Sequence, residues 1–383
     1  MIIKPIAIKE NEYAELNKID ESSSDFKEYW LQKVIHDNPQ SYPIENPLDK
    51  DVKIVSLGRE INSGAGYIDI LLLTSEAELI IVETKLWRNP EKSRTVLAQV
   101  IDYAKEISNW SYNDLNDAVI SAQRSQKLNK TLSLKEIIEK EFPNQNQIDL
   151  IDILIQNLQQ GVLSLSIVGD KISPNLLLLS DTIQSSPGLN FSLSLIEMKL
   201  FEYNNDVILI PDIVGKTKEV VRGVVKVQYE DAKPKVDIKY LETDRPKKSK
   251  TKTDREAFIS QCPDDIAPIL ENWLNVWQNN NDLMVYWGVT GLSIRKLLDD
   301  KWTTIIDIYP VCISMIIPAM AENCKIPKDI YDDYLVVLFS IDGLKSAYSS
   351  KKRYINYNTM STDDIELMME AIGKLIRKLI EKK

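Results

Sequence analysis

Two apolar segments, Tyr67 to Thr74 and Glu78 to Leu86, constrain this chain more than any other feature. Each is a near-continuous run of Ile, Leu and Val of strand length. The polar Ser75-Glu76-Ala77 between them suits a hairpin connection. Such runs are expected of strands buried on both faces, and so of the middle of a sheet flanked by helices. Yet Asp69, Glu83 and Lys85 stand inside them. An ion stripped of water in that setting is costly unless it is paired or meets a counter-ion. A divalent cation together with a phosphate is the natural partner for two carboxylates and an ammonium group held this way.

The surrounding pattern is mixed α/β. Residues 24–37 read as an amphipathic helix with Phe26, Trp30, Leu31, Val34 and Ile35 inward, stopped by Asn38-Pro39. Residues 51–61 read as a strand with a turn at Asn62-Ser63-Gly64. After the hairpin, Asn89-Pro90 resembles a helix start running to about Ser108. Residues 111–160 are polar and helical in pattern. Strand signal returns at 162–168, 191–203 and 207–211, with 220–229 a further candidate and a helix at 174–183. The order helix, three strands, helix, strand implies one mixed sheet flanked by helices.

The chain has 383 residues, of which 44% are hydrophobic, enough for more than one core. The stretch 243–254, rich in Lys, Ser and Thr, reads as a basic linker. The domains expected are therefore 1–242, with a helical insertion at 111–160, and a C-terminal α+β domain at 255–383. The net charge of −10 confines any nucleic-acid surface to a local basic patch. A single histidine, His36, excludes zinc sites and nuclease centres built from several histidines. Cys262, Cys312 and Cys324 fit no disulfide framework and read as buried thiols in a reducing compartment. The N-terminus lacks the apolar core of a signal peptide, and no apolar run is long enough for a membrane helix. The expectation is a cytoplasmic protein with no membrane partner.

The chemistry follows from spacing. Glu83 and Lys85 project from one face of their strand, and a hairpin brings Asp69 opposite Glu83. Two carboxylates plus a backbone carbonyl suit Mg²⁺, which prefers oxygen ligands and keeps several waters. Lys85 is then placed to orient an attacking water and to stabilise charge on a phosphate. Gln99 and Tyr103, four apart, share a face of the next helix. Arg88, Lys92 and Arg94 supply the local positive charge that a phosphate backbone needs.

The segments GYID, IVETK and the following Gln99 and Tyr103 resemble the PD-(D/E)xK nuclease superfamily, closest to its RecB-like branch and to mismatch endonucleases of the NucS type. The resemblance implies a restriction-endonuclease-like α-β-β-β-α-β core and a metal-dependent nuclease. Asp69 and Glu83 would be the metal ligands and Lys85 the third catalytic residue. Gln99 and Tyr103 would be the helix extension, with Mg²⁺ the cofactor and Mn²⁺ a substitute. The family often adds a glutamate from the first helix; Glu28 is the best match and Glu60 a rival. Ile68 stands where the family name has proline. DNA is favoured over RNA by family usage. A role in restriction, repair or phage defence would follow by analogy alone. An isologous homodimer would suit a site that cuts one strand.

Two other readings stay open on the sequence. One is a catalytically silent module binding nucleic acid or protein. The other is a nuclease gated by a ligand or partner at residues 255–383. A second pattern of the same kind, Asp170 with Glu197 and Lys199, reads as an ordinary polar strand face, since no Gln-bearing helix follows it. Gly64-Ala65-Gly66 precedes a strand and reads as a turn, not a phosphate loop. His36 reads as a surface or cap residue. Trp273 and Trp277 read as core, and Trp287, Arg295 and Lys296 as part of a packed turn.

Overall fold

The computed structural model describes residues 5–9, 12–19, 27–44, 52–86, 93–128, 130–184, 191–204, 206–216, 223–230, 233–240, 252–299, 301–350 and 352–381. The chain divides into two compact units. One comprises Met1–Phe142 and Ile153–Lys248, the other Pro143–Asp152 and Ser249–Lys383.

The first unit begins with the short strands β1 (Ile6–Lys9), β2 (Glu12–Glu15) and β3 (Asn17–Lys18), then helix α1 (Glu28–Asp37). The hairpin strands β4 (Ile54–Asn62), β5 (Tyr67–Thr74) and β6 (Leu79–Lys85) follow, then α2 (Ser93–Ile107), α3 (Tyr112–Ser125), α4 (Leu134–Glu141) and α5 (Gln147–Gln160), of which residues 153–160 belong to this unit. Strand β7 (Ser164–Gly169), helix α6 (Pro174–Gln184) and strands β8 (Ser192–Tyr203) and β9 (Asp206–Lys216) complete the main sheet. A separate hairpin is formed by β10 (Gly223–Glu230) and β11 (Lys233–Tyr240).

The sheet runs β3-β8-β7-β6-β5-β4, with β9 on the other edge of β8. Strands β4, β5 and β6 are antiparallel neighbours, β6, β7 and β8 are parallel, and β9 returns antiparallel. The apolar runs do what their composition demands: Ile70 to Leu73 and Leu79 to Val82 are all fully buried. One face packs on α1 and its following turn, with Leu31, Ile35 and Tyr42 against Ile70, Leu72, Ile80, Val82, Val168 and Ile196. On α2, Val96, Val100, Tyr103 and Ile107 are buried, and the helix lies against β6, β7 and α6. Capping boxes at Ser111/Asp114 and Ser133/Glu136 start α3 and α4 and satisfy amides that would otherwise lack partners.

The second unit holds α7 (Arg255–Ile259), α8 (Ala267–Gln278), an antiparallel sheet β12 (Leu283–Trp287), β13 (Leu292–Leu298), β14 (Lys301–Tyr309), β15 (Cys312–Ser314) and β16 (Tyr354–Asn356), and helices α9 (Pro318–Asn323), α10 (Lys328–Leu338), α11 (Leu344–Ser349) and α12 (Thr362–Glu381). Trp277 and all three cysteines are buried here, and Trp273 packs beside Trp277. Arg295 and Lys296 lie buried within β13, rather than in a turn. Among the described residues, no helix is long and apolar enough to cross a membrane.

The expected helical insertion divides between the units, and its contacts explain why. Asp149 pairs with Arg295, Asp152 accepts hydrogen bonds from Tyr286 and from the Val289 amide, and the Gln145 carbonyl accepts from Arg353. Each partner belongs to the second unit, so residues 143–152 go with it. The 241–251 part of the expected linker lies outside the described residues.

Candidate functional site

Sheet register assembles the site. On β4 and β5, Arg59 faces Ile70 and Ile61 faces Ile68, which sets Glu60 opposite Asp69. The pairing of β5 with β6 ends at Ile70 and Val82, and the next step along it brings Asp69 opposite Glu83. Three carboxylates therefore form a row across three adjacent strands. Like charges directly opposite one another destabilise a sheet.

The electrostatics carry that cost. Glu83 is 5% exposed, and burial, followed by the charge of Asp69, pushes its carboxyl up to about 8 from an ordinary 4.5. Its Oε2 is buried with no hydrogen-bond partner. Burial also raises Asp69, against hydrogen bonds from the Thr84 amide and hydroxyl, each 2.7 Å from Oδ2. Glu60 is raised by partial burial and then by Asp69. Its backbone is left-handed, at φ 51° within a strand, a conformation unusual for a residue with a side chain.

Lys85 ends β6 with its Nζ 3.1 Å from the Glu28 carboxylate. Glu28 in turn accepts from the Leu86 amide at 3.2 Å, so the first turn of α1 is tied to the end of β6. The two glutamates proposed from sequence thus have different places: Glu28 holds Lys85, and Glu60 extends the carboxylate row. The ends of β6 and β7 lie side by side, with Lys85 level with Gly169. Such carboxyl-end edges of parallel strands are where ligands bind in open α/β sheets.

Tyr103 comes from α2 and faces the row: burial raises its hydroxyl to about 12, helped by the charges of Glu83, Asp69 and Glu60. Its ring lies against Gly66, where an added Cβ would sit 3.1 Å from the ring. Gln99, one turn earlier, is half-buried, and among the described residues no hydrogen bond joins it to Asp69, Glu83 or Lys85. Arg94 is exposed in the first turn of α2; Arg88 and Lys92 lie outside the described residues.

His36 departs from the expectation of a surface or cap residue. It is half-buried, its Nδ1 is 2.6 Å from the Ser56 hydroxyl, and burial lowers its pKa. The reason is the close packing of α1 on β4. Two site residues escaped the sequence reading. Thr84 carried no signal, since it stands between Glu83 and Lys85 and alternation turns it to the other face of the strand. Gln32, buried on α1 and helping to lower the Asp69 and Glu60 carboxyls, did carry one: it falls four residues after Glu28, on the same helix face.

Among the described residues, no group of three His, Cys, Asp or Glu side chains forms a ready-made metal cage. The donor set still suits a hard cation that keeps most of its water: two neighbouring carboxylates, one with a buried and unpartnered oxygen. No family model, no curated protein and no solved structure matches the chain.

Proposed function

We propose that the first unit is a Mg²⁺-dependent nuclease of the PD-(D/E)xK type acting on nucleic-acid phosphodiesters, with DNA the favoured substrate. The observation that carries this reading is the unpartnered, buried Oε2 of Glu83 within a row of three carboxylates and two residues from Lys85. A stability-driven core has no use for that arrangement, whereas a cation site requires it. The order α1, β4, β5, β6, α2, β7 also supports a restriction-endonuclease-like core, with α3 to α5 inserted before β7.

Asp69 and Glu83 would hold the cation, which supplies charge neutralisation at the phosphate and a more acidic water. The chain's own residues do the rest. Thr84 fixes the Asp69 carboxylate through Oδ2, leaving less freedom to be lost on binding. Glu28 holds the Lys85 ammonium at the strand end. From there Lys85 donates to the attacking water or to a non-bridging phosphate oxygen. Tyr103, packed over Gly66, closes one side of the row and limits solvent access.

The test is cleavage of circular duplex, linear duplex and single-stranded DNA by the purified chain beside Asp69→Ala and Lys85→Ala, with Mg²⁺, Mn²⁺ or EDTA. Metal-dependent cleavage lost in both variants is the expected result, and nicking of the circle identifies an endonuclease. Cleavage that survives both substitutions places the activity elsewhere.

A further inference from the structure

Among the described residues of the first unit, the exposed aromatic side chains are Tyr29 and Tyr67, at 62% and 58%. The Arg59 guanidinium lies over the Tyr29 ring, 4.8 Å from its centroid. Tyr67 differs: among the described residues, no hydrogen bond or ring contact holds its side chain. An exposed aromatic is ordinary on a protein surface, so the position of this one decides its meaning. Tyr67 begins β5 and Asp69 follows two residues later, so both side chains leave the same face of the strand, about 7 Å apart. The backbone leading to the ring is held in place. The Ser63 amide and hydroxyl both donate to the Gly66 carbonyl, at 2.8 and 2.9 Å, and the hydroxyl accepts from the Ala65 amide. A ring presented by a fixed turn loses little freedom when a flat partner lies on it.

We propose that Tyr67 is a stacking platform for a base beside the scissile phosphate, and that the substrate strand is unpaired there: single-stranded DNA or a splayed end. The inference rests on the nuclease reading above and names its substrate class. The step from Asp69 to Tyr67 matches the spacing of successive phosphates in an extended strand, so a phosphate at the carboxylate row leaves the adjoining base over the ring. Within a duplex the faces of each base are already covered by its neighbours. The charge of the chain points the same way. At −10, the protein as a whole does not attract a phosphate backbone, the main source of non-specific affinity. Stacking needs no net positive charge and accepts every base.

The experiment is fluorescence anisotropy of a labelled mixed-sequence DNA strand, alone and annealed to its complement, titrated with the full chain in Mg²⁺. All proteins carry Lys85→Ala to protect the probe from cleavage. Tyr67→Ala should weaken single-strand binding by about fivefold to a hundredfold, and Tyr67→Phe should retain it. The duplex should bind the parent more weakly than the single strand and be insensitive to Tyr67. Melting curves in EDTA and Mn²⁺ uptake, followed by the free-ion electron paramagnetic resonance signal, should match the parent throughout. Equal single-strand affinity in Tyr67→Ala and the parent overturns the proposal and leaves the metal site standing. So does a loss in Tyr67→Phe as large as in Tyr67→Ala, which assigns the contact to the hydroxyl, or duplex binding that depends equally on Tyr67. A parent that binds no single strand overturns the proposal; one that also takes up no Mn²⁺ overturns the nuclease reading with it.

Discussion

Glu83→Gln should stabilise the metal-free protein at high pH and hardly change it at low pH. The folded protein raises the Glu83 carboxyl from an ordinary 4.5 to about 8. Below pH 4.5 the group is protonated folded or unfolded, and it adds no pH-dependent term. Between 4.5 and about 8 the unfolded chain ionises while the folded chain retains its proton, so stability falls as pH rises. Each pH unit is worth about 1.4 kcal/mol, and the full gap gives a ceiling of about 5 kcal/mol, reached above pH 8. Glutamine matches the shape of the protonated acid and has no charge to bury, so it removes this penalty.

The assay is urea denaturation of wild type and Glu83→Gln in EDTA at pH 5 and pH 9. The advantage of the variant should be under about 1 kcal/mol at pH 5 and several-fold larger at pH 9. An equal effect at both pH values, or a loss at pH 9, would refute the argument that burial of an ionised Glu83 is the dominant cost. Added Mg²⁺ at pH 8 provides the complement. It should stabilise wild type in proportion to the logarithm of its concentration, about 2.7 kcal/mol at a hundred times Kd, and should lose most of that effect on the variant.

On the proposed mechanism, in which the ammonium acts on the phosphate and not as a cation ligand, Lys85→Ala should reduce plasmid cleavage by about 10²–10³-fold while Mn²⁺ binding persists. Gly66→Val should cost about 1–3 kcal/mol in urea denaturation, since its Cβ would meet the Tyr103 ring at 3.1 Å; adding Tyr103→Leu should recover part of the loss. In the second unit, Asp307 is fully buried and pairs with Arg353, with Ser293 and Tyr354 also donating to it. Asp307→Ala should therefore cost about 3–5 kcal/mol by stranding the guanidinium, whereas Asp307→Leu with Arg353→Met should recover most of it, measured by thermal or urea unfolding.

What the sequence made legible was whatever burial dictates locally. Strands β5 and β6 announce themselves because a strand covered on both faces must be apolar throughout, and Asp69, Glu83 and Lys85 stand out against that background. Elements formed by distant partners were harder to see. Strand β3 is two residues long and exists through pairing with Phe201 and Glu202 of β8. Strand β9 runs through Pro211, which read as its end. Proline is tolerated there because, among the described residues, β9 pairs only with β8 and so lies at the sheet edge. Helix α5 reads as one helical segment, and only the positions of Arg295 and Tyr286 against Asp149 and Asp152 assign its first turns to the second unit.

The chain also contains its own control for the site. Asp170, Glu197 and Lys199 repeat the Asp…Glu-x-Lys order, and the motif alone does not separate the two copies. Their charge balance does. Lys199 pairs with Asp212 and lies 3.9 Å from Glu197, whose Oε1 accepts from the Ile172 amide at 3.0 Å. The Asp170 carboxylate accepts from the Lys171 amide. In that copy, each of the three charged groups has a protein partner. In the first copy the local ammonium, Lys85, is committed to Glu28, and Arg59 next to Glu60 directs its guanidinium toward Tyr29. Glu60, Asp69 and Glu83 are left as a row of acids in excess of the cations around them, with an acceptor on Glu83 buried and open. Two ways exist to relieve that excess: retain protons, as the raised Glu83 indicates for the metal-free chain, or take up a cation. Competition between them means that cation binding at neutral pH must release protons. Calorimetric Mn²⁺ titrations in buffers of different ionisation enthalpy should therefore show a buffer-dependent heat for wild type and a much smaller dependence for Glu83→Gln.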